Sequence, residues 1–301
     1  MSTPEKSYPG KIMLFGEYSI ICGSKALVIP YDKVSGRWEF HRDDSSRSAS
    51  TRASQNDLRK LIDYLKSKAN IADIIDLQSF IKDVESGLYF NSTIPQQYGV
   101  GSSGALVAAL YDRYKRYNEG DLEQLKTNLA LIESAFHGNS SGIDPLCCYL
   151  NEAVYIDQKG DPASIQLSNI NELSIFLIDT HISSSTEPLV SHFKAMLHHY
   201  SFYKKLSQSY IPTINKAIDN FLAQRFSELL NQIASIAAFQ SDAFSKMIPE
   251  AYKFLFQDDN NKPYQVKLCG SGGGGYLLGF TQHPEETKTA LSSHNLDFVF
   301  L

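Results

Sequence analysis

The sequence predicts an α+β protein of two domains. Short apolar strands and amphipathic helices succeed one another over 301 residues without an internal repeat, and that length suits one large domain or two ordinary ones. A polar stretch at 157–164, with Gly160 and Pro162, separates an apolar strand at 153–156 from another at 173–179, so the boundary is expected between residues 1–160 and 161–301. A glycine-rich turn at 98–106 (YGVGSSGAL) runs directly into an alanine-rich helical stretch, and a second at 270–275 (GSGGGG) lies between two strands.

Composition excludes several classes. Hydrophobic residues make up 43% and charged residues 20% of the chain, which is a globular and not a disordered balance. The formal net charge is −5 and no basic block stands out, so no nucleic-acid partner is expected. No apolar run is long enough to span a bilayer, so no membrane partner is expected. The start, MSTPEK, lacks the apolar core of a signal peptide. Cys22, Cys147, Cys148 and Cys269 have neither zinc spacing nor a C-x-x-C pair, and read as reduced thiols. A cytoplasmic protein is the expectation.

In chain order, residues 11–15 (KIMLF) read as a strand, Gly16-Glu17 as a break, and 18–22 as a renewed extended segment. Residues 26–29 form another strand that Pro30 ends, and 35–40, with Trp38, a further one. Polar 41–57, with Arg42, Arg47 and Arg52, reads as an exposed loop or lid. Helices are predicted over 58–69 and 71–84, a strand over 87–94, and helices over 105–117 and 122–136. Asp144 then opens a further element, with Pro145 suited to a first helical turn. After the strand at 173–179, Pro188 opens a helical region to about 256, broken near Pro212, Arg225 and Gln240. Strands at 264–269 and 276–280, a helix at 284–293 and a strand at 296–301 finish the chain.

Several residue patterns bear chemistry. Free N–H groups and the positive helix dipole converge where a glycine turn enters a helix, which suits a phosphate. Ser102 and Ser103 add hydroxyls for a phosphate oxygen or a Mg²⁺ ion; a plain helix cap is the alternative. Gly99, Gly101 and Gly104 also fit a dinucleotide fingerprint, but Pro95-Gln-Gln intervenes after the strand and no second strand arrives on schedule. Glu133 and Asp144 flank a tight turn and read either as a metal acid and an acid near a reacting hydroxyl, or as a solvated side chain and a helix cap. Lys11 and Glu17, at strand ends, read as solvated charges on position alone. The hydroxyl run 180–187 (THISSSTE) suits a polar ligand or helix capping. The glycines at 270–275 let the backbone pass close to a ligand or to another chain segment.

Three stretches together resemble the GHMP family of small-molecule kinases, which includes galactokinase, homoserine kinase, mevalonate kinase and phosphomevalonate kinase. They are 9–17 (PGKIMLFGE), 95–105 (PQQYGVGSSGA) and 267–275 (KLCGSGGGG), in family order and near family spacing. The segment 137–144 (HGNSSGID) and the run 180–187 are most similar to mevalonate kinases. Ser140 stands where proline is usual, Gly104 where alanine is usual, and Tyr18 where histidine is common.

The resemblance implies a two-domain fold: an N-terminal mixed α/β, ATP-binding domain with a left-handed β-α-β-like phosphate loop, and a C-terminal ferredoxin-like α+β domain. It implies ATP on Gly99, Val100, Gly101, Ser102, Ser103, Gly104 and Ala105, and Mg²⁺ on Glu133 with Ser102 and Ser103. Asp144 and Lys11 would be catalytic. Glu17, Tyr18, His137, Gly138, Ser141, Thr186, Gly272 and Gly273 would meet the small-molecule substrate. That substrate would be mevalonate, phosphorylated on its terminal hydroxyl in isoprenoid precursor synthesis, with Arg42, Arg47 and Arg52 as candidates for its carboxylate. A kinase of phosphomevalonate or a sugar and a non-catalytic nucleotide binder are the alternatives; a homodimer is compatible with either.

Overall fold

The computed structural model describes residues 6–41, 48–118, 120–167, 170–257 and 262–301, and of His137 the backbone only. Contacts divide the chain into two compact units. The first holds the described residues up to Lys11, Pro30–Pro95 and Gly101–Val154; the second holds Ile12–Ile29, Gln96–Val100 and Tyr155–Leu301. This division is not a single cut of the chain. Phe15, at the end of the first strand, stacks on Phe280 and meets Phe221 edge-on, which gives residues 12–29 their place in the second unit.

One sheet holds β1 (Tyr8–Phe15), β2 (Ala26–Phe40), β4 (Ala153–Ile156) and β5 (Pro162–Ile165) in that order, with β3 (Leu88–Ser92) also on β2. β3 runs antiparallel to the far half of β2, in a register that sets Trp38 opposite Phe90. The expected end at Pro30 is overturned: 26–29 and 35–40 belong to one long strand. Proline removes one donor from a ladder, and a strand continues where that donor is not required. β5 lies in a stretch expected to be only a turn.

The helices of the first unit are α1 (Ala49–Lys66), α2 (Ile71–Ile74), α3 (Leu77–Glu85), α4 (Ser102–Tyr114), α5 (Leu122–His137) and α6 (Ile143–Leu150). α1 begins well before the expected Leu58. Ser48 caps it by accepting the Thr51 N–H, and Thr51 and Gln55 are buried, so half of the supposed lid is helix. The helix expected over 71–84 breaks at Ile75, and Asp76 caps α3 by accepting the Ser79 N–H. Trp38 anchors this core, donating its indole N–H to the Ala109 carbonyl and packing against Phe80 and Phe90.

The second unit contains a four-stranded antiparallel sheet in the order β7 (Gln265–Leu268), β8 (Tyr276–Thr281), β6 (Ser174–Asp179), β9 (Asp297–Phe300). Between β6 and β7 come α7 (Thr186–Leu197), α8 (Tyr200–Lys205), α9 (Ile211–Leu222) and α10 (Phe226–Ala243); α11 (Pro284–Ser293) joins β8 to β9. This order is the ferredoxin-like β-α-β-β-α-β arrangement, with extra helices in the first crossover. Pro212 does not break the chain: a π-helical turn at Leu206–Tyr210 joins α8 to α9, with Pro212 in the first turn of α9. The break expected near Gln240 comes at the end of α10, at Ala243; Gln240 itself is buried and bonds the Tyr210 hydroxyl and the Leu268 N–H. The segment after Glu17 is not extended. Ser19–Cys22 is a 3-10 turn closed by left-handed Gly23.

The register of β6 and β8 sets Gly279 opposite Phe176, whose ring covers the glycine so closely that an added Cβ would lie 2.1 Å from Phe176 Cζ. Phe176 is fully buried and has no room to yield. Gly279→Ala is expected to destabilise the protein by about 1–3 kcal/mol, the scale of core overpacking. Urea unfolding measures this, and an unchanged midpoint would show that the ring is free to move.

Candidate active site

In the first unit, four sequence-distant segments converge. β1 carries Lys11 inward, and its ammonium lies 2.8 Å from Asp144 Oδ2 in the first turn of α6. The Lys11 side chain is 5% exposed and Asp144 31%, so the lysine is buried and its partner reaches the surface. The reading of Lys11 as a solvated strand-end charge is therefore overturned. Its partner lies far along the chain, out of reach of any local pattern.

Two glycines set the position of this pair. Gly101, at φ +83°, precedes α4, and an added Cβ would sit 2.6 Å from Lys11 Cγ. Gly104 lies within α4 where that helix meets α6; an added Cβ would lie 3.1 Å from the Asp144 carbonyl carbon and from the Pro145 nitrogen. The departure from alanine at position 104 thus has a steric reason. Gly142, at φ +73°, leads into α6, and a side chain there would collide with the Lys126 carbonyl.

Glu133 completes the cluster from the last turns of α5 and is buried. Ser103 Oγ donates to its Oε1 at 3.3 Å, and Ser140 Oγ donates to its Oε2. Ser140 Oγ also accepts the Gly142 N–H at 2.9 Å. The serine in the usual place of proline therefore supplies a donor to the buried acid. Burial, and then the charge of Asp144, push the Glu133 carboxyl up to about 7 against the opposing effect of both serines and Lys11. Crowded carboxylates with hydroxyls at hand are hard oxygen donors. They fit a magnesium ion, which takes few protein ligands and keeps several waters.

The remaining predicted residues of the first unit are less engaged. Ala105 is buried in α4 and donates its N–H to the Gly101 carbonyl at 2.9 Å. Ser102 is half-buried at the start of the same helix. Gly138, at φ +69°, closes α5, and Gly138 and Ser141 are exposed. The His137 side chain, Arg42 and Arg47 lie outside the described residues, and Arg52 is exposed on α1.

The second unit holds the other predicted residues. Glu17 is not a solvated strand-end charge: it forms an ion pair with Lys267 of β7, with side-chain exposures of 1% and 0%. Lys267 also donates to the Leu268 carbonyl and lies 5.7 Å from the Phe15 ring centroid. In the sequence Lys267 stands out only as the start of a motif. The signal available was a lone lysine in a short apolar strand.

Tyr18 donates its hydroxyl to the Ser271 carbonyl at 2.6 Å, and Ser271 Oγ donates to Thr186 Oγ1 at 3.2 Å. The glycines at 270–275 pack on protein. Added Cβ atoms would meet the Met247 carbonyl at Gly272, Ser184 Oγ at Gly273 and the Tyr98 carbonyl at Gly275. Of the residues expected to hold ATP, Gly99 and Val100 belong to this unit, and Gly99 lies against the Cys269 carbonyl. Cys147, Cys148 and Cys269 are buried free thiols, and Cys22 is a partly buried one. No helix among the described residues is long and apolar enough to cross a membrane.

Residues 56–152 match the family described as the GHMP kinases N-terminal domain. Over 95% of its length the chain is 24% identical to a mevalonate kinase from Thermococcus sibiricus, covering 91% of that protein. Its fold is that of an L. major mevalonate kinase solved in complex with R-mevalonate, with a TM-score of 0.67 at 16% identity, covering 97% of this chain and 92% of that one. A Streptococcus pneumoniae phosphomevalonate kinase in complex with phosphomevalonate and AMPPNP has the same fold, with a TM-score of 0.70 at 12% identity, covering 99% of this chain and 100% of that one.

The raised carboxyl of Glu133 ties stability to pH. Between about 4.5 and about 7 the folded protein keeps a proton that the unfolded chain has lost, so stability falls as pH rises through this window. Above it the buried charge costs on the order of 3 kcal/mol. In metal-free buffer, Glu133→Gln should therefore gain stability relative to the native protein between pH 5 and pH 8. Urea unfolding at the two values reads the difference, and parallel curves would place the Glu133 proton elsewhere.

Proposed function

We propose that this chain, whose residues 56–152 match the GHMP kinases N-terminal domain, transfers the terminal phosphoryl group of ATP to the terminal hydroxyl of mevalonate. The observation that carries this reading is the Lys11–Asp144 pair held against Gly101 and Gly104, with Glu133 and Ser103 in the same cluster. Mevalonate is favoured by the names of relatives that match nearly the whole chain.

Each residue has a role set by its chemistry. The N–H groups entering α4, with the helix dipole behind them, receive the phosphates of ATP. Ser102, Ser103 and Glu133 would hold magnesium, which offsets phosphate charge when bound. Asp144 orients the acceptor hydroxyl and takes its proton. Lys11 holds Asp144 in place through their ion pair, and its charge favours the alkoxide character that develops on the acceptor. Phosphoryl transfer passes through a loose transition state, so alignment and charge outweigh proton removal. On the same reading residues 1–160 would form the ATP-binding part and 161–301 the C-terminal part, although residues 12–29 and 96–100 pack within the second unit.

A second reading has its own support, since the S. pneumoniae phosphomevalonate kinase shares the fold over its whole length. Release of ADP from Mg·ATP, measured separately with mevalonate, phosphomevalonate, galactose and homoserine, separates the two. Turnover with mevalonate alone is expected. Turnover with phosphomevalonate alone would transfer the mechanism to that acceptor, and silence with all four in a folded, ATP-binding protein would overturn the catalytic reading.

A further inference from the structure

We infer that Tyr18 is a positioning residue, whose hydroxyl, donated to the Ser271 carbonyl, fixes the glycine-rich turn before β8 and, through the Ser271 and Thr186 hydroxyls, the entry to α7. On the phosphoryl-transfer reading, which expects Gly272 and Gly273 at the acceptor, Tyr18 would act on the reaction through this turn.

The turn needs such a device. Residues 270–275 contain five glycines and one side-chain hydroxyl, that of Ser271, and Gly270, Gly272, Gly273 and Gly275 all have positive φ. Glycine imposes no conformation of its own, so neighbours must select one. Part of the selection is backbone pairing: the Gly275 N–H donates to the Ile182 carbonyl, and Thr180 donates both its N–H and its hydroxyl to the Gly275 carbonyl. Those bonds grip the end of the turn beside β8. Near its start, Tyr18 Oη grips the Ser271 carbonyl at 2.6 Å.

Tyr18 is itself held in a conformation that an aromatic residue rarely takes, with φ 60° and ψ −46°. Such a backbone persists only where its surroundings over-determine it, and it marks functional turns more often than plain connections. The surroundings are evident. The ring lies 4.9 Å from that of Phe193 and 5.4 Å from that of Phe244, centroid to centroid, and the residue is 6% exposed. Burial, and then the charge of Glu17, raise the phenol far above its ordinary value, so it remains a donor at every working pH. A hydroxyl committed to a backbone carbonyl and a ring enclosed by phenylalanines leave little of Tyr18 for a ligand.

The test compares Tyr18→Phe, Thr186→Val and the double variant with the native full chain. Phenylalanine keeps the ring cage, so Tyr18→Phe should lower Tm by no more than about 3 °C, the scale of one hydrogen bond in a chain of this size. Hydrogen exchange without ligand should show the amides of 270–275 exchanging about tenfold faster in Tyr18→Phe. Thr186→Val should speed the same amides, and the double variant should add little to either, because both act through Ser271. The kinetic arm rests on the phosphoryl-transfer reading: KM for the acceptor should rise about tenfold, with a smaller change in kcat.

Unchanged exchange at 270–275 in Tyr18→Phe, or fully additive effects in the double variant, would overturn the inference. Faster exchange in a protein inactive toward every acceptor would support it and count against the kinase reading alone. Thr186→Val approaches the same link from its other end, so the inference is still tested should Tyr18→Phe not fold.

Discussion

The first unit is arranged around a charge problem. Asp144 and Glu133 are two acids in one cluster, and Lys11 is buried with them. Two carboxylates crowded together cannot both ionise freely, and burial makes the second charge harder still to carry. The structure resolves this unevenly. Asp144 takes the ammonium and keeps some exposure to solvent, while Glu133 is buried against the Ser103 and Ser140 hydroxyls and is raised. One acid is thereby matched to a cation, and the other rests against neutral hydroxyls. Backbone contacts enforce the arrangement, since Gly101 lies on Lys11 and Gly104 on the Asp144–Pro145 peptide. A methyl group at either glycine would push the ion pair from its place.

The second unit solves a different problem, the control of chain segments with little conformation of their own. A buried ion pair is a poor source of stability, because desolvation offsets most of its attraction. The Glu17–Lys267 pair joins the turn after β1 to the strand that leads into the glycine run, over a separation of 250 residues. Gln240 adds a second polar tie to the same strand through the Leu268 N–H. With Tyr18 and Thr180, these groups define a glycine-rich turn by its surroundings. Its backbone packs so closely on Met247, Ser184 and Tyr98 that no side chain would fit.

Much of this was legible in local sequence. The glycine turn entering α4, the placement of Asp144 in the first turn of a helix, and Glu133 at the end of α5 all follow from short patterns. The ferredoxin-like order came from the family resemblance and is present in the second sheet. What failed was long-range. Lys11 and Glu17 look solvated because nothing near them in sequence reveals Asp144 or Lys267. The early start of α1 was hidden by polar residues that read as a loop, although Ser48 is an effective cap and Gln55 faces inward. The 3-10 turn after Glu17 depends on a positive φ at Tyr18, which no propensity predicts.

The central claim is that the Lys11–Asp144 pair carries phosphoryl transfer and is not a structural ion pair alone. The most direct measurement is a single-turnover quench with labelled Mg·ATP and mevalonate, comparing the native protein with Lys11→Met. A methionine keeps most of the buried volume while removing the charge. The account predicts that Lys11→Met folds and still binds ATP, with transfer to the acceptor slowed by at least ~10²-fold, the scale of a lost electrostatic group at a reacting centre. Transfer at the native rate would contradict it and leave the pair a structural one.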